Sequence, residues 1–142
     1  MGVAGSPHRH RFVCLLDSDI LVDRNFVRRN TDRLTRGDHV AHLPFQWAFN
    51  LSDQASSRAI RCRVFDGDAD VPPEALRGFL KRGSPGGCLW VTDEAFRQVA
   101  GFDERFEGWG GEDDDVDARL ARAGAFRRYD DPCCTCIIPA RG

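Results

Sequence analysis

The chain has 142 residues, 42% of them hydrophobic and 30% charged, with a formal net charge of −2. That is one domain's worth of chain with enough apolar residues for a core, and the near-neutral balance gives no argument for a nucleic-acid partner or an anionic membrane surface, so no nucleic-acid partner is expected. No apolar run reaches the length of a membrane span.

Residues 1–11 are rich in Gly, Pro, His and Arg and lack the apolar segment of a secretory signal. They are expected to be a flexible lead-in, followed by one domain over 12–142 whose tail from about 130 has no clear assignment. A reducing, cytoplasmic location is the default expectation. Six cysteines are spread along the chain, and Cys14, Cys62 and Cys88 lie singly in or beside apolar segments, where cysteine acts as a small hydrophobe.

Phe12–Leu16 is a continuous apolar run, which predicts a strand buried on both faces of a parallel sheet. It ends in Asp17-Ser18-Asp19, so both carboxylates fall at a strand's C-terminal end, the edge where open α/β sheets bind ligands. Asp23 is the expected N-cap of a helix over about 24–36, with Gly37 as a left-handed stop. Val40–Phe45 reads as the next strand, with Trp47 and Phe49 in a loop or edge strand. Residues 50–70 are polar and irregular. Within them Asp66-Gly67-Asp68-Ala69-Asp70 begins like a calcium loop, but Val71 stands where glycine is needed and Arg77 where a bidentate glutamate is needed. A solvated acidic loop is the better reading.

Pro72-Pro73 predicts the start of a short helix burying Leu76, Phe79 and Leu80 at i, i+3, i+4 spacing. After the tight loop Ser84–Gly87 come a strand at Cys88–Val91, a helix capped by Thr92 and closed by Gly101, a helix over about 113–123 ending at Gly124, and a last strand at Phe126–Tyr129. The whole is an α/β pattern. In the tail, Cys133, Cys134 and Cys136 lack the C-x2-C spacing of a structural zinc site, and all four histidines lie far upstream.

Two acidic clusters carry chemistry. Asp17 and Asp19 offer hard oxygen ligands suited to Mg or Mn on a diphosphate. Glu112-Asp113-Asp114-Asp115 follows Gly108-Trp109-Gly110-Gly111. Acidic residues favour a helix N-terminus by ~0.3–1 kcal/mol each, which accounts for one or two of them. Four in a row repel one another and raise each other's pKa, which suits a general base. An indole beside carboxylates is also suited to a sugar, with its apolar C–H face and its hydroxyls. The expectation is that both clusters face one cleft.

These residues resemble a known family. Gly86-Gly87-Cys88-Leu89-Trp90, Val99-Ala100-Gly101-Phe102-Asp103-Glu104, the Gly108–Asp115 string, Arg119-Leu120 and Gly124 are similar to the C-terminal galactosyltransferase domain of β1,4-galactosyltransferases and chondroitin-polymerase-type enzymes. Asp17-Ser18-Asp19 resembles the D-x-D strand of the same families. The resemblance covers residues 84–129 closely. It implies a partial GT-A glycosyltransferase fold, a mixed and mostly parallel sheet flanked by helices, and a metal-dependent transfer of galactose or N-acetylgalactosamine from a UDP-sugar to a glycan or other acceptor hydroxyl, with inversion. The implied cofactor is Mn2+ or Mg2+. Asp19 would ligate the metal; Asp17, Gly87, Trp109 and Glu112 would hold the donor; Trp109 and Asp114 would bind the acceptor; Asp113 would be the base. The family carries a nucleotide-binding half before its D-x-D strand, whereas about eleven residues precede it here, and its histidine metal ligand has no counterpart after His42. The alternative reading is therefore a non-catalytic remnant that keeps glycan or partner binding. An open edge beside the Phe12–Leu16 strand is expected to favour self-association.

Overall fold

The computed structural model describes residues 11–65, 77–82, 86–107, 110–131 and 134–135. The expectations for the Asp66–Asp70 loop, for Pro72–Leu76, for Trp109 and for Cys133 and Cys136 lie outside these residues.

The chain runs β1 (Phe12–Leu16), β2 (Ile20–Leu21), α1 (Phe26–Arg36), β3 (Ala41–Leu43), β4 (Trp47–Leu51), α2 (Asp53–Phe65), β5 (Gly78–Arg82), β6 (Cys88–Thr92), α3 (Asp93–Gln98), α4 (Glu112–Ala123), β7 (Phe126–Arg128) and β8 (Cys134–Thr135). The strands form two four-stranded sheets, β1-β6-β3-β7 and β2-β8-β4-β5. The expected α/β architecture, a mixed sheet flanked by helices, is present. Its parallel majority is not: among the described pairings only β3–β7 and β4–β8 are parallel, while β1–β6, β3–β6, β2–β8 and β4–β5 are antiparallel. Apolar runs indicate burial, and burial does not encode strand direction.

The first sheet is covered on both faces. On one, Val13, Ala41, Leu43, Leu89 and Val91 pack with Ala95 of α3 and Val116 and Leu120 of α4. On the other, Cys88 and Trp90 pack with Phe26 and Leu34 of α1 and with Phe45. Each Val, Leu or Phe side chain among these contributes about 1.5–3 kcal/mol on removal from water. β6 is interior and buried through Val91, as a continuous apolar run predicts. β1 is instead an edge strand with Cys14 and Leu16 exposed, so it is not buried on both faces.

Local chemistry explains several boundaries and corrects others. Thr92 caps α3, its Oγ1 accepting from Ala95 N at 3.2 Å, and Gly101 follows with φ 68°. Asp23 is not the N-cap of α1. Asn25 is, and Asp23 accepts from Asn25 N at 2.8 Å and pairs with Arg29 at 2.6 Å. Gly37 ends α1 in an extended conformation, φ −83°, not a left-handed one. Residues 53–65, expected to be irregular, form a helix that buries the small side chains Ala55, Ser56 and Ala59. Phe79 and Leu80, expected on a buried helix face, lie on β5 and are 65% and 54% exposed. Trp47 and Phe49 belong to β4, which is interior to its sheet.

Behind the sheet, α1 is tied to β3 by a buried polar chain. His42 Nε2 donates to Asn30 Oδ1 at 2.9 Å, because the Asn30 amide nitrogen is committed to Phe26 O. His42 Nδ1 then accepts from His39 Nε2 at 3.1 Å. Burial, then the charges of His39 and Arg33, push the His42 pKa down to about 3, so the ring is neutral at ordinary pH. Asp131 clamps the end of β7 to the same helix through Arg29 and Arg33. No described helix is long and apolar enough to cross a membrane.

Candidate active site

The two acidic clusters meet at the end of the β1–β6 pair. Register sets Leu16 opposite Cys88, and Asp17 N donates to Gly87 O at 2.8 Å. This holds the Asp17 carboxylate at the mouth of a cleft of about 500 Å³, whose walls include Leu16, Asp17, Gly86, Gly87, Glu112, Asp113 and Asp117. The first turn of α4 supplies the opposite wall. The sequence expectation of one shared cleft therefore holds for Asp17, Glu112 and Asp113.

Glycine makes the approach possible. A Cβ on Gly86 would lie 2.1 Å from Asp113 Oδ2, so any side chain there displaces the carboxylate. Gly87 has φ 98°, and its missing Cβ would fall 3.6 Å from Asp17 Oδ2. Gly111, the N-cap of α4, has φ 90° and offers no side-chain cap. The helix begins with its N–H groups and dipole facing the run Glu112–Asp115, which that end favours.

The four acidic residues then diverge. Glu112 is half-buried, and its Oε2 is fully shielded without a hydrogen-bond partner among the described residues. Asp113 is half-buried, and its pKa is raised by burial first, then by the charges of Glu112, Asp17 and Asp114. Asp114 is exposed. Asp115 turns away from the cleft. It pairs with Arg119 at 2.7 Å, and Arg119 in turn donates to the carbonyls of Val99 and Gly101. Asp115 therefore fastens the first turn of α4 to the end of α3. On the other wall the Asp17 pKa is raised by partial burial, then by Asp19 and Glu112. Repelling carboxylates held this close suit a ligand that brings positive charge or hydroxyl donors.

Sequence reading passed over Asp117. It lies one helical turn beyond Asp113, lines the same cleft, and is 6% exposed. Burial raises its pKa to about 6, against the opposing charge of Arg128, whose guanidinium lies 3.3 Å away. The i, i+4 spacing from Asp113 was the available signal, since it puts both carboxyls on one helix face.

No group of three or more His, Cys, Asp or Glu among the described residues is arranged to hold a metal ion. Asp17 and Asp19 do not form a closed protein cage. Their hard oxygens fit the kind of site in which one or two carboxylates are completed by water and a ligand's phosphates, the usual manner of Mg2+.

Part of the chain is similar in sequence to known proteins. Residues 81–131 match the family model described as the N-terminal domain of galactosyltransferase, a range that overlaps the segment 84–129 with the galactosyltransferase resemblance. The chain is 51% identical to beta-1,4-galactosyltransferase 5 of Homo sapiens over an alignment of 112 residues, covering 61% of this chain and 29% of the relative, and the Mus musculus protein aligns equally well. It is also 51% identical to beta-1,4-galactosyltransferase 6 of Homo sapiens over 39 residues, 28% of this chain and 10% of the relative. The chain thus spans less than a third of the length of these relatives. The matched segment holds Gly86, Gly87 and all of α4, so the α4 wall of the cleft lies within the part of the chain that is similar to galactosyltransferases.

Proposed function

We propose that this chain is the acceptor-side catalytic region of a glycosyltransferase, which moves galactose or N-acetylgalactosamine from a UDP-sugar to an acceptor hydroxyl with inversion. The observation that carries this reading is the convergence of Asp17, Glu112 and Asp113 on one glycine-walled cleft, the α4 wall of which lies in a segment similar to galactosyltransferases.

Each residue's task follows from its surroundings. Asp113 is the base: its pKa is raised by burial and by neighbouring carboxylates, so it takes a proton from the acceptor hydroxyl more readily than an ordinary aspartate. Gly86 leaves room for that carboxylate at the donor edge. The unsatisfied Glu112 Oε2 accepts from a donor-sugar hydroxyl, which relieves the cost of its burial. Asp17 and Gly87 bound the donor on the opposite wall, and Asp114, exposed at the rim, meets the acceptor. Trp109 belongs to donor phosphate and acceptor by resemblance alone. Asp19 would hold Mn2+ or Mg2+, which would supply positive charge to offset that of the departing diphosphate. Deprotonating the acceptor oxygen as it attacks the anomeric carbon leads to inversion in a single displacement.

Calorimetric titration of UDP with and without Mn2+ tests the donor half of this reading. Mn2+ is expected to strengthen UDP binding, and no UDP binding in either condition would refute the assignment for this chain. Asp113→Asn should keep UDP binding and abolish sugar transfer. Glycan binding that survives chelation, with no donor turnover, would instead identify a binding remnant.

A further inference from the structure

Beside the cleft, the β1–β6 pair brings two cysteines together. Register sets Cys14 opposite Trp90 and Leu16 opposite Cys88. Cys14 and Cys88 are therefore diagonal neighbours on one face of the sheet, since strand side chains alternate. The Asp17 N–H bond to Gly87 O makes Asp17 and Gly87 a hydrogen-bonded pair. Cys14–Trp90 and Leu16–Cys88 are then both non-hydrogen-bonded pairs, in which side chains across the strands lie closer. Cys88 is the side-chain hydrogen-bond partner that lowers the Cys14 pKa. Both cysteines are reduced in the structure, Cys14 exposed and Cys88 4% exposed.

We propose that Cys14 and Cys88 are a redox modification site, which a low-molecular-weight disulfide converts to an internal disulfide across β1 and β6. The exposed Cys14 reacts first. The hydrogen bond from Cys88 lowers its pKa and outweighs the opposing effect of burial, which raises the thiolate fraction. The Cys14 thiolate attacks one sulfur of the oxidant and expels a thiolate, leaving a mixed disulfide. Cys88 then loses its proton to solvent, attacks the Cys14 sulfur and expels the second thiolate. Two protein thiols are oxidised, and one oxidant disulfide becomes two thiols.

The bridge should be labile. Diagonal strand neighbours have Cα atoms about 7–8 Å apart, whereas an unstrained disulfide spans about 4.4–6.8 Å. Closing it draws the strands together, and a strained bridge is the more easily reduced kind. It would form one residue from Gly87 and three from Asp17, a hydrogen-bonded pair that lines the cleft.

The test is to incubate the full chain, natively folded, with excess oxidised glutathione, trap remaining thiols by alkylation, and map the cysteine peptides by mass spectrometry. The expected product is a Cys14–Cys88 cross-link that mild dithiothreitol reverses. Cys88→Ser should convert it to a stable glutathione adduct on Cys14, and Cys14→Ser should leave Cys88 unmodified. A wild-type chain that keeps glutathione on Cys14, or bridges Cys14 to any other cysteine, would overturn the proposal.

Discussion

Asp117 makes the pH dependence of stability calculable. Its side chain is 7% exposed, and its pKa stands near 6 against an ordinary 3.8. Because the folded chain holds this proton more tightly than the unfolded chain, Asp117 favours folding fully below pH 3.8. That contribution is lost as pH rises through about 6. At about 1.4 kcal/mol per pKa unit, the gap corresponds to about 3 kcal/mol. Asp117→Asn removes the titration while keeping shape and one acceptor for Arg128, whose own half-exposed position makes the lost charge contact worth little. Urea unfolding of both chains from pH 4 to pH 8 reads the difference, and the raised carboxyls Asp17 and Asp113 largely cancel because both chains carry them. The variant should gain on the wild type by somewhat more than about 2 kcal/mol across that range, nearly all of it below pH 7, because part of the full change lies below pH 4. Parallel stability profiles would refute the burial of this carboxyl.

His42 should show the opposite sign: with its pKa depressed to about 3 from 6.5, it stabilises the fold above pH 6.5, and that stability is lost as pH falls toward 3, so His42→Asn should flatten the acid limb in the same denaturation series. Gly86→Ala should leave the circular dichroism spectrum unchanged and, on the proposed function, lower sugar transfer sharply, because the new methyl displaces the Asp113 carboxylate rather than any backbone. Leu120→Ala, at a position 0% exposed between α4 and the sheet, should cost about 2–5 kcal/mol in chemical denaturation.

Much of the site was legible from residues alone because its signals are local. The apolar run ending in Asp17-Ser18-Asp19 puts carboxylates at a strand end whatever that strand pairs with. Glycines before Glu112, and Thr92 before α3, act through their own backbone or the next turn. Other elements misled for physical reasons. α2 buries Ala55, Ser56 and Ala59, so it has no stripe of large apolar residues to reveal a helix. The i, i+3, i+4 spacing of Leu76, Phe79 and Leu80 suggested a helix, but residues 78–82 pair with β4 instead, and the ladder outweighs a pattern whose apolar members stay exposed.

The sequence by itself determined the chemistry on offer: the two acidic clusters, the glycine-walled turn, the helix caps and the galactosyltransferase resemblance. These rest on residue type and on spacings within a few residues. Tertiary structure alone decided which carboxylates share a cleft. It brought Asp17 to Glu112 and Asp113, added Asp117, and turned Asp115 aside to Arg119. It also made β1 an antiparallel edge strand with Cys14 beside Cys88. Those outcomes depend on register between strands more than seventy residues apart and on desolvation at particular atoms, and neither is carried by any local pattern.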